Sequence, residues 1–203
     1  MHTPIIGWDV GGAHLKAALI IEGVVVQVEQ HVCPLWKGTE YLEIALANIM
    51  RKLPEQHGLH AVTMTGELVD CFNSRQAGVD AIIHTLQTSL PNQDILIYAG
   101  NRGFLSPADI MAEDYLRIAS ANWLASASLA AHYISDALFV DIGSTTTDIL
   151  VISHHQVDAQ GYTDYQRLVS GELLYTGVVR TPVMAVCQHA QFNGQTMGLM
   201  AEL

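Results

Sequence analysis

Two segments of the sequence place an aspartate two residues before a glycine, between apolar runs of strand length. The first runs from Asp9 to Lys16 and the second from Asp141 to Asp148, so each residue of the second lies 132 positions after its counterpart. A glycine-rich turn between strands offers consecutive backbone N–H groups with no side chain in the way, which suits a phosphate. We predict two phosphate-binding loops, formed by Gly11, Gly12, Gly143, Ser144, Thr145 and Thr146.

The charged residues of these segments complement a phosphate. Asp9 and Asp141 would repel it directly, so we expect both to hold Mg²⁺ through water, because magnesium keeps much of its hydration shell. Lys16 follows Asp9 by seven residues and can reach back to the same phosphates as a point charge. Asp148 supplies a further carboxylate in the second segment. We predict catalytic roles for Asp9, Lys16 and Asp141.

A lone aspartate and glycine at a strand end is usually a β-turn, because these two residues dominate turns for backbone reasons. The occurrence of two copies in equivalent contexts favours a functional interpretation instead. Neither copy has the spacing of a P-loop or of a dinucleotide-binding glycine motif, and both loops lead into a strand. The repeat indicates two related halves.

Four other polar residues are candidates. Glu67 and Asp70 follow a predicted strand, where α/β proteins bind ligands. They serve either as a general base or metal ligand, or as caps of the next helix. Under the first alternative we predict a catalytic role for Glu67. Asn122 lies in an Ala/Ser-rich helical segment, where it points either into a cleft or back to the backbone and solvent. Arg180 either clamps a diphosphate or forms a surface ion pair.

The elements that must position these residues alternate between strands and helices. Apolar runs predict a three-stranded meander, helical periodicity with terminal prolines predicts two amphipathic helices, and Ser106-Pro107 predicts the start of a long helical region. The predicted strands span residues 5–10, 15–21, 24–28, 60–65, 94–99, 138–142 and 149–152; the predicted helices lie within 42–53, 79–90 and 106–133. This alternation indicates an α/β fold with a parallel component.

Composition narrows the classes of partner. The protein has 203 residues, 9 basic and 20 acidic, with a formal charge of −11 that would repel a nucleic-acid backbone. Polar residues interrupt every apolar stretch before it reaches the length of a membrane span, so we expect a cytoplasmic protein with no nucleic-acid or membrane partner. Cys33, Cys71 and Cys187 are widely spaced and are interpreted as free thiols.

The paired hairpins resemble the phosphate 1 and phosphate 2 motifs of the actin/hexokinase/heat-shock-70 ATPase superfamily. The second is most similar to the form found in the hydantoinase A/oxoprolinase family. Three segments resemble a small branch of that family linked to tetrahydromethanopterin-dependent one-carbon metabolism: TMTGELVDCF at 63–72, ASANWLASA at 119–127 and GELLYTGVVRTPV at 171–183. The branch includes an enzyme of methanofuran biosynthesis that joins a phenol to an aminomethylfuran diphosphate and releases pyrophosphate.

The resemblance implies an actin-like, ribonuclease-H-like α/β fold with mixed sheets flanked by helices and two related halves, residues 1–135 and 136–203. The second half is expected to be incomplete, with the sequence truncated at its carboxyl end, because the superfamily's adenosine motif is a glycine pair and no such pair follows Asp148. Mg²⁺ is the expected cofactor and ATP is left open. A small phosphorylated molecule is the expected substrate, and a homodimer is an open alternative.

Three functions remain open from the sequence. The first is a Mg²⁺-dependent enzyme acting on a phosphate or diphosphate, of the methanofuran-synthase type. The second is an ATP-dependent hydantoinase/oxoprolinase-like hydrolase or a small-molecule kinase. The third is a non-catalytic nucleotide-binding or scaffold module.

Overall fold

The computed structural model describes residues 3–179, 181 and 183–199, and the protein divides into two compact units, with the boundary between Ser126 and Ala127. The predicted α/β class is confirmed; the six-stranded sheet is mixed as predicted, whereas the other described sheets are antiparallel. The predicted division into halves at residues 135 and 136 stays a prediction. No helix among the described residues is both long enough and apolar enough to cross a bilayer.

The first unit is built on a six-stranded mixed sheet in the order β3-β2-β1-β4-β5-β6. Its strands are β1 (Ile5–Val10), β2 (His14–Ile21), β3 (Val24–Val32), β4 (Leu59–Met64), β5 (Asp94–Tyr98) and β6 (Phe104–Leu105). Its helices are α1 (Glu40–Met50), α2 (Arg75–Ser89), α3 (Tyr115–Ile118) and the start of α4 (Asn122–Tyr133). The predicted meander β1-β2-β3 is confirmed, and β3 continues four residues beyond its predicted end at Val28.

Two helices connect the parallel part of this sheet. β1 pairs in parallel with β4, and β4 with β5, so the backbone crosses over through α1 and then α2. The apolar stripe of α1 buries Leu42, Leu46 and Ile49 completely or almost so. Each such side chain contributes about 1.5–3 kcal/mol relative to exposure. The parallel arrangement brings the carboxyl ends of β1 and β4 to the same edge of the sheet, where the first predicted loop begins.

The long helical region predicted from Ser106 to about Tyr133 is wrong. The structure has short 3₁₀ segments at Pro107–Asp109 and Ala112–Asp114, then the single-turn helix α3, and only α4 is a full helix. Ser120, between α3 and α4, has a φ of 54°, which is outside the helical region. The serine and proline do begin a helical turn, but the backbone leaves the helix after each short segment.

The second unit contains a smaller sheet. Its strands are β7 (Ala137–Ile142), β8 (Thr147–Ser153), β9 (Gln156–Asp158) and β10 (Leu173–Leu174), followed by the separate hairpin of β11 (His189–Phe192) and β12 (Gln195–Gly198). β8 is central and pairs antiparallel with β7, β9 and β10. Its helices are the remainder of α4, α5 (Asp164–Ser170) and the short α6 (Val183–Val186).

The internal repeat seen in the sequence is also present in the backbone. β7 begins and ends 132 residues after β1, and in both copies a two-residue turn leads to a third antiparallel strand. The turns are Glu22-Gly23, with φ of 53° and 78°, and His154-His155, with φ of 51° and 62°. Two consecutive left-handed residues are typical of the tight type I′ hairpin. The repeat therefore covers three strands in each unit.

Candidate functional site: two hairpin loops

The first predicted phosphate loop joins β1 to β2. Asp9 and Lys16 face each other across this hairpin, and Lys16 Nζ lies 3.0 Å from Asp9 Oδ2. The Gly11 N–H closes the turn by donating to the His14 carbonyl at 3.0 Å. A Cβ at Gly11 would lie 3.0 Å from the same oxygen, so a side chain there would crowd the turn.

Asp9 has one carboxylate oxygen with no partner in the described part of the protein. Its Oδ2 accepts from Lys16, whereas its buried Oδ1 accepts from no described residue. The pair with Lys16 is solvent-accessible and stabilises the hairpin by at most about 1 kcal/mol. A water molecule bound to Mg²⁺ can donate to Oδ1, so Asp9 fits the water-mediated role predicted for it. That Lys16 moves to the phosphates stays a prediction.

The carbonyl groups of this loop are tied to a neighbouring backbone segment. The Leu35 N–H donates to the Gly12 carbonyl at 3.0 Å, and the Cys33 N–H donates to the Ala13 carbonyl at 2.8 Å. A Cβ at Gly12 would lie 2.8 Å from Val69 Cγ1, so this position has no room for a side chain without displacing Val69. The first loop is thus fixed from the side of its carbonyls.

The second predicted loop, between β7 and β8, repeats this arrangement. The Gly143 N–H donates to the Thr146 carbonyl at 2.8 Å, which is the counterpart of the bond that closes the first loop. The carbonyls of Gly143 and Ser144 accept from the N–H groups of Val178 and Val179, both at 3.1 Å. Two loops of related sequence therefore have their carbonyls bound by a backbone segment of their own unit.

Five N–H groups of the two loops have no acceptor among the described residues. They belong to Gly12, Ala13, Ser144, Thr145 and Thr146. In a planar trans peptide, the C=O of one residue and the N–H of the next residue point in opposite directions. A carbonyl that accepts from the supporting segment therefore directs the next N–H away from that segment. Adjacent N–H groups that converge without protein acceptors form an anion-binding concavity. Each loop has N–H donors that no described residue uses, and their binding of phosphate stays a prediction.

The second unit's two aspartates differ in environment. Asp141 and Asp148 are opposite each other in the β7–β8 register, and Asp141 is exposed. Asp148 Oδ1 accepts a hydrogen bond from the buried Arg167 Nη2 at 2.6 Å. Burial raises the pKa of Asp148, the Arg167 charge and hydrogen bond lower it, and the charge of Asp141 raises it. Because Arg167 engages Asp148, Asp141 is the better candidate to face a hydrated cation.

Glu67 is a buried carboxyl in the one-turn segment Gly66–Leu68 after β4. Its side chain is 1% exposed, and its Oε1 accepts from Ser120 Oγ at 3.1 Å. Its Oε2 has no hydrogen-bond partner among the described residues. Burial raises the pKa of Glu67, and the hydrogen bonds from its own backbone and from Ser120 act in the opposite direction. A carboxyl of this kind holds its proton more tightly than an exposed glutamate does.

The segment that carries Glu67 contacts the first loop. A Cβ at Gly66 would lie 3.1 Å from the Val10 carbonyl oxygen and 3.4 Å from that of Gly11. The alternative that Glu67 or Asp70 caps the following helix is wrong, because Ser74 Oγ accepts from the Ala77 N–H at 3.1 Å and caps α2. The structure therefore brings the segment that carries Glu67 next to the loop that Asp9 precedes, through Gly66.

The three remaining candidates are not brought together. Asp70 is exposed in the turn after the Glu67 segment. Asn122 begins α4, rather than lying within a helix as predicted, and its Oδ1 accepts from the Trp123 N–H at 2.9 Å. This is the back-bonded alternative. Arg180 lies outside the described residues, so its predicted role stays a prediction.

The structure adds three residues that the sequence did not indicate. Ser120 contacts Glu67 across 53 positions, Arg167 contacts Asp148 across 19, and Thr181 binds the backbone of Gly177. None belongs to a repeated motif. Ser120 and Thr181 do lie in two of the segments that resemble the one-carbon branch of the family, and this resemblance was the available signal.

An α/β protein with one mixed sheet, one antiparallel sheet and repeated hairpins with glycine loops at their tips belongs to the class of proteins with the actin-like ATPase fold. The family model described as hydantoinase/oxoprolinase matches residues 59–201. The protein belongs to the hydantoinase/oxoprolinase family, as the second loop predicted.

Two relatives have the same specific name. A (4-{4-[2-(gamma-L-glutamylamino)ethyl]phenoxymethyl}furan-2-yl)methanamine synthase of Methanocaldococcus jannaschii is 33% identical over 203 residues, which is 100% of this chain and 59% of the relative. The synthase of that name from Methanococcus vannielii is 37% identical over 67 residues, 33% of this chain and 30% of the relative. The sequence spans well under two thirds of the length of these relatives.

Solved structures show more distant likenesses. The ethanolamine utilization protein EutJ of Carboxydothermus hydrogenoformans has a TM-score of 0.47 and 18% identity, over 78% of this chain and 51% of that protein. An exopolyphosphatase of Cytophaga hutchinsonii has a TM-score of 0.46 and 14% identity, over 83% of this chain and 53% of that protein.

Proposed function

We propose that this protein acts in a Mg²⁺-dependent synthase that joins a phenol to an aminomethylfuran diphosphate and releases pyrophosphate, in tetrahydromethanopterin-linked one-carbon metabolism. The observation that carries the proposal is the match to a synthase along all 203 residues. The name of that relative describes a phenoxymethyl group on a furan, which is an aryl ether. Two loops with unpaired amides support a diphosphate as the leaving group.

The reaction forms one C–O bond and breaks another. The phenol oxygen attacks the methylene carbon on the furan, the bond from that carbon to the diphosphate oxygen breaks, and pyrophosphate leaves with the electron pair. The phenol proton passes to a base. Charge on the leaving pyrophosphate increases as the bond breaks, so donors placed at its oxygens stabilise the transition state more than the substrate.

The residues divide these tasks. In the first unit the amides of Gly12 and Ala13, and in the second those of Ser144, Thr145 and Thr146, would bind phosphate oxygens. Asp9 and Asp141 would each hold hydrated Mg²⁺ beside the loop of their own unit. When bound, the ion would neutralise charge on the diphosphate. Lys16 adds a mobile positive charge to the first loop. Glu67, with its raised pKa and uncommitted Oε2, is the proposed proton acceptor.

Calorimetric titration with inorganic pyrophosphate tests the phosphate site. We expect Mg²⁺-dependent binding that Asp141→Asn weakens at least about tenfold, which corresponds to about 1.4 kcal/mol, since the variant loses the charge that holds the ion. Asp158→Asn, in the exposed β9, is the matched control and should bind as the wild type does. Equal pyrophosphate affinity in Asp141→Asn and the wild type would contradict the site assignment.

A turnover assay with a phenol and the aminomethylfuran diphosphate separates the proposed reaction from its alternatives. We expect equimolar aryl ether and pyrophosphate without ATP. Preference for ATP over pyrophosphate in the titration, with ATP cleavage, would identify a hydrolase or kinase instead. Binding of neither ligand would contradict both enzymatic functions and leave a scaffold role.

A further inference from the structure

We infer that Thr181 and Gly177 are positioning residues that set the second loop for phosphate, by holding a backbone strap against its carbonyl side. The strap is the segment 176–179. This inference rests on the proposed function for its ligand, because it assigns the strap a role in pyrophosphate binding.

The strap meets the loop at three points. Thr147 Oγ1 donates to the Thr176 carbonyl at 2.6 Å, at the start of β8. The N–H groups of Val178 and Val179 donate to the carbonyls of Gly143 and Ser144. Through peptide planarity these last two bonds aim the N–H groups of the residues that follow, Ser144 and Thr145, away from the strap. The strap therefore determines the direction in which the loop presents its donors.

Gly177 lets the strap approach closely enough for these bonds. A Cβ at Gly177 would lie 2.5 Å from Thr145 N and 2.7 Å from the Gly143 oxygen. These are backbone atoms of a closed turn, which lack the rotational freedom of a flexible side chain. Any side chain at Gly177 must push the strap off the loop or open the loop.

Thr181 fixes the orientation of Gly177. The Thr181 hydroxyl accepts from the Gly177 N–H at 2.7 Å and donates to the Gly177 carbonyl at 2.6 Å. One side chain thus uses both polar groups of this glycine, so neither competes for the loop. The N–H groups of the next two strap residues are then free to bind the loop carbonyls.

The first loop offers an independent instance of the same arrangement. Its carbonyls, at Gly12 and Ala13, are bound by the N–H groups of Leu35 and Cys33. Here the binding segment follows β3 directly and contains Pro34, which fixes one φ. The strap itself contains no proline. The Thr181 hydroxyl restrains its backbone instead, at Gly177.

Two readouts on Thr181→Val and Thr181→Ser test the inference. Valine removes the hydroxyl at nearly constant volume, whereas serine keeps it. We expect Thr181→Val to accelerate amide hydrogen exchange at Val178 and Val179 about fivefold to tenfold, and to weaken Mg²⁺-pyrophosphate binding by a similar factor, as for the loss of one or two hydrogen bonds. Thr181→Ser should restore both. Thr196→Val, which loses only an exposed bond from Gln191 in the terminal hairpin, is the matched control.

The outcomes separate this inference from the proposed function. Unchanged exchange at Val178 and Val179 in Thr181→Val would overturn the inference. If the wild type binds pyrophosphate, accelerated exchange in Thr181→Val with unchanged affinity would also overturn the inference, because the strap would then be structural only. If exchange accelerates and the serine variant restores it, while the wild type binds no pyrophosphate, the strap is supported and the proposed function is contradicted.

Discussion

At the scale of single residues, the first unit buries two titratable groups, Glu67 and His60, in different hydrogen-bonding environments. Glu67 Oε1 accepts a hydrogen bond from Ser120. His60 Nδ1 accepts from Trp8 Nε1 at 2.9 Å, and its ring stacks on the same indole. Sequence patterns indicated Glu67 because it follows a strand. They gave no signal for Ser120, since a hydroxyl 53 residues away reaches the carboxyl only through the fold.

Glu67→Gln should make stability less dependent on pH. Burial raises the pKa of Glu67 in the folded state above its unfolded value near 4.5. As pH rises from the unfolded pKa to the folded pKa, the unfolded state loses its proton first, so the free energy of unfolding falls. Each unit of raised pKa costs about 1.4 kcal/mol above that range. In urea unfolding, the gain of Glu67→Gln over wild type should be larger at pH 7 than at pH 4. The exposed Glu43→Gln is the control, and a pH-independent difference would contradict the assignment.

His60 should destabilise the protein in acid. Burial lowers the pKa of His60 from 6.5 to about 4. As pH falls through this range, the unfolded state binds a proton that the folded state does not bind, so the free energy of unfolding falls. The loss is at most about 3 kcal/mol between pH 6.5 and 4. His60→Gln, which can still accept from Trp8, should remove this slope, while the exposed His84→Gln should keep it. Identical slopes in the two variants would exclude His60 as the cause.

At the scale of elements, each phosphate loop depends on a segment that supports it. The strands and their meander were predictable because alternating apolar residues and the glycine-rich turns are local features of the sequence. The supporting segments were not, because they use backbone hydrogen bonds that any sequence can make. The break of the predicted long helix at Ser120 has the same origin: it places the Ser120 hydroxyl on Glu67, a tertiary contact that helical propensity cannot indicate.

Arg167 joins three elements of the second unit. It is 2% exposed, and its Nη2 binds Asp148 in β8 and the Glu172 carbonyl before β10. Removing one partner of a buried ion pair leaves an uncompensated charge, so Arg167→Met should lower the free energy of unfolding of the second unit by roughly 3 kcal/mol.

The double variant Asp148→Asn, Arg167→Met should recover part of this loss, because the uncompensated carboxylate is gone. Urea unfolding followed by a probe in the second unit measures both. The exposed Arg51→Met provides the comparison. A loss below about 1 kcal/mol in Arg167→Met would show that the pair behaves as a surface ion pair.

At the scale of the molecule, the two units repeat a hairpin motif whose first strand is paired and buried to a different extent in each unit. β1 pairs with strands on both sides and alternates buried residues, whereas β7 pairs only with β8 among the described strands and exposes Leu138, Val140 and Ile142. The sequence predicted both copies, because their apolar runs look alike. It could not show their unequal burial, which depends on what packs on each strand.

Hydrogen exchange should reveal this difference. Local opening free energies follow buried contacts, so amides of the β7–β8 hairpin should exchange about tenfold faster or more than those of the β1–β4 pair. Exchange measured by mass spectrometry on peptides covering residues 5–10 and 137–142 compares the two copies directly. Equal protection of these peptides would mean that burial in the first unit's sheet does not determine its stability.

The two hairpin loops are proposed to present unpaired backbone amides to phosphate oxygens. Amide NMR of the wild type during titration with Mg²⁺ and pyrophosphate tests this role of the loops residue by residue. We predict that the largest shifts fall on Gly12, Ala13, Ser144, Thr145 and Thr146, and that they need Mg²⁺. Saturable pyrophosphate binding that leaves these five amides unshifted would contradict it.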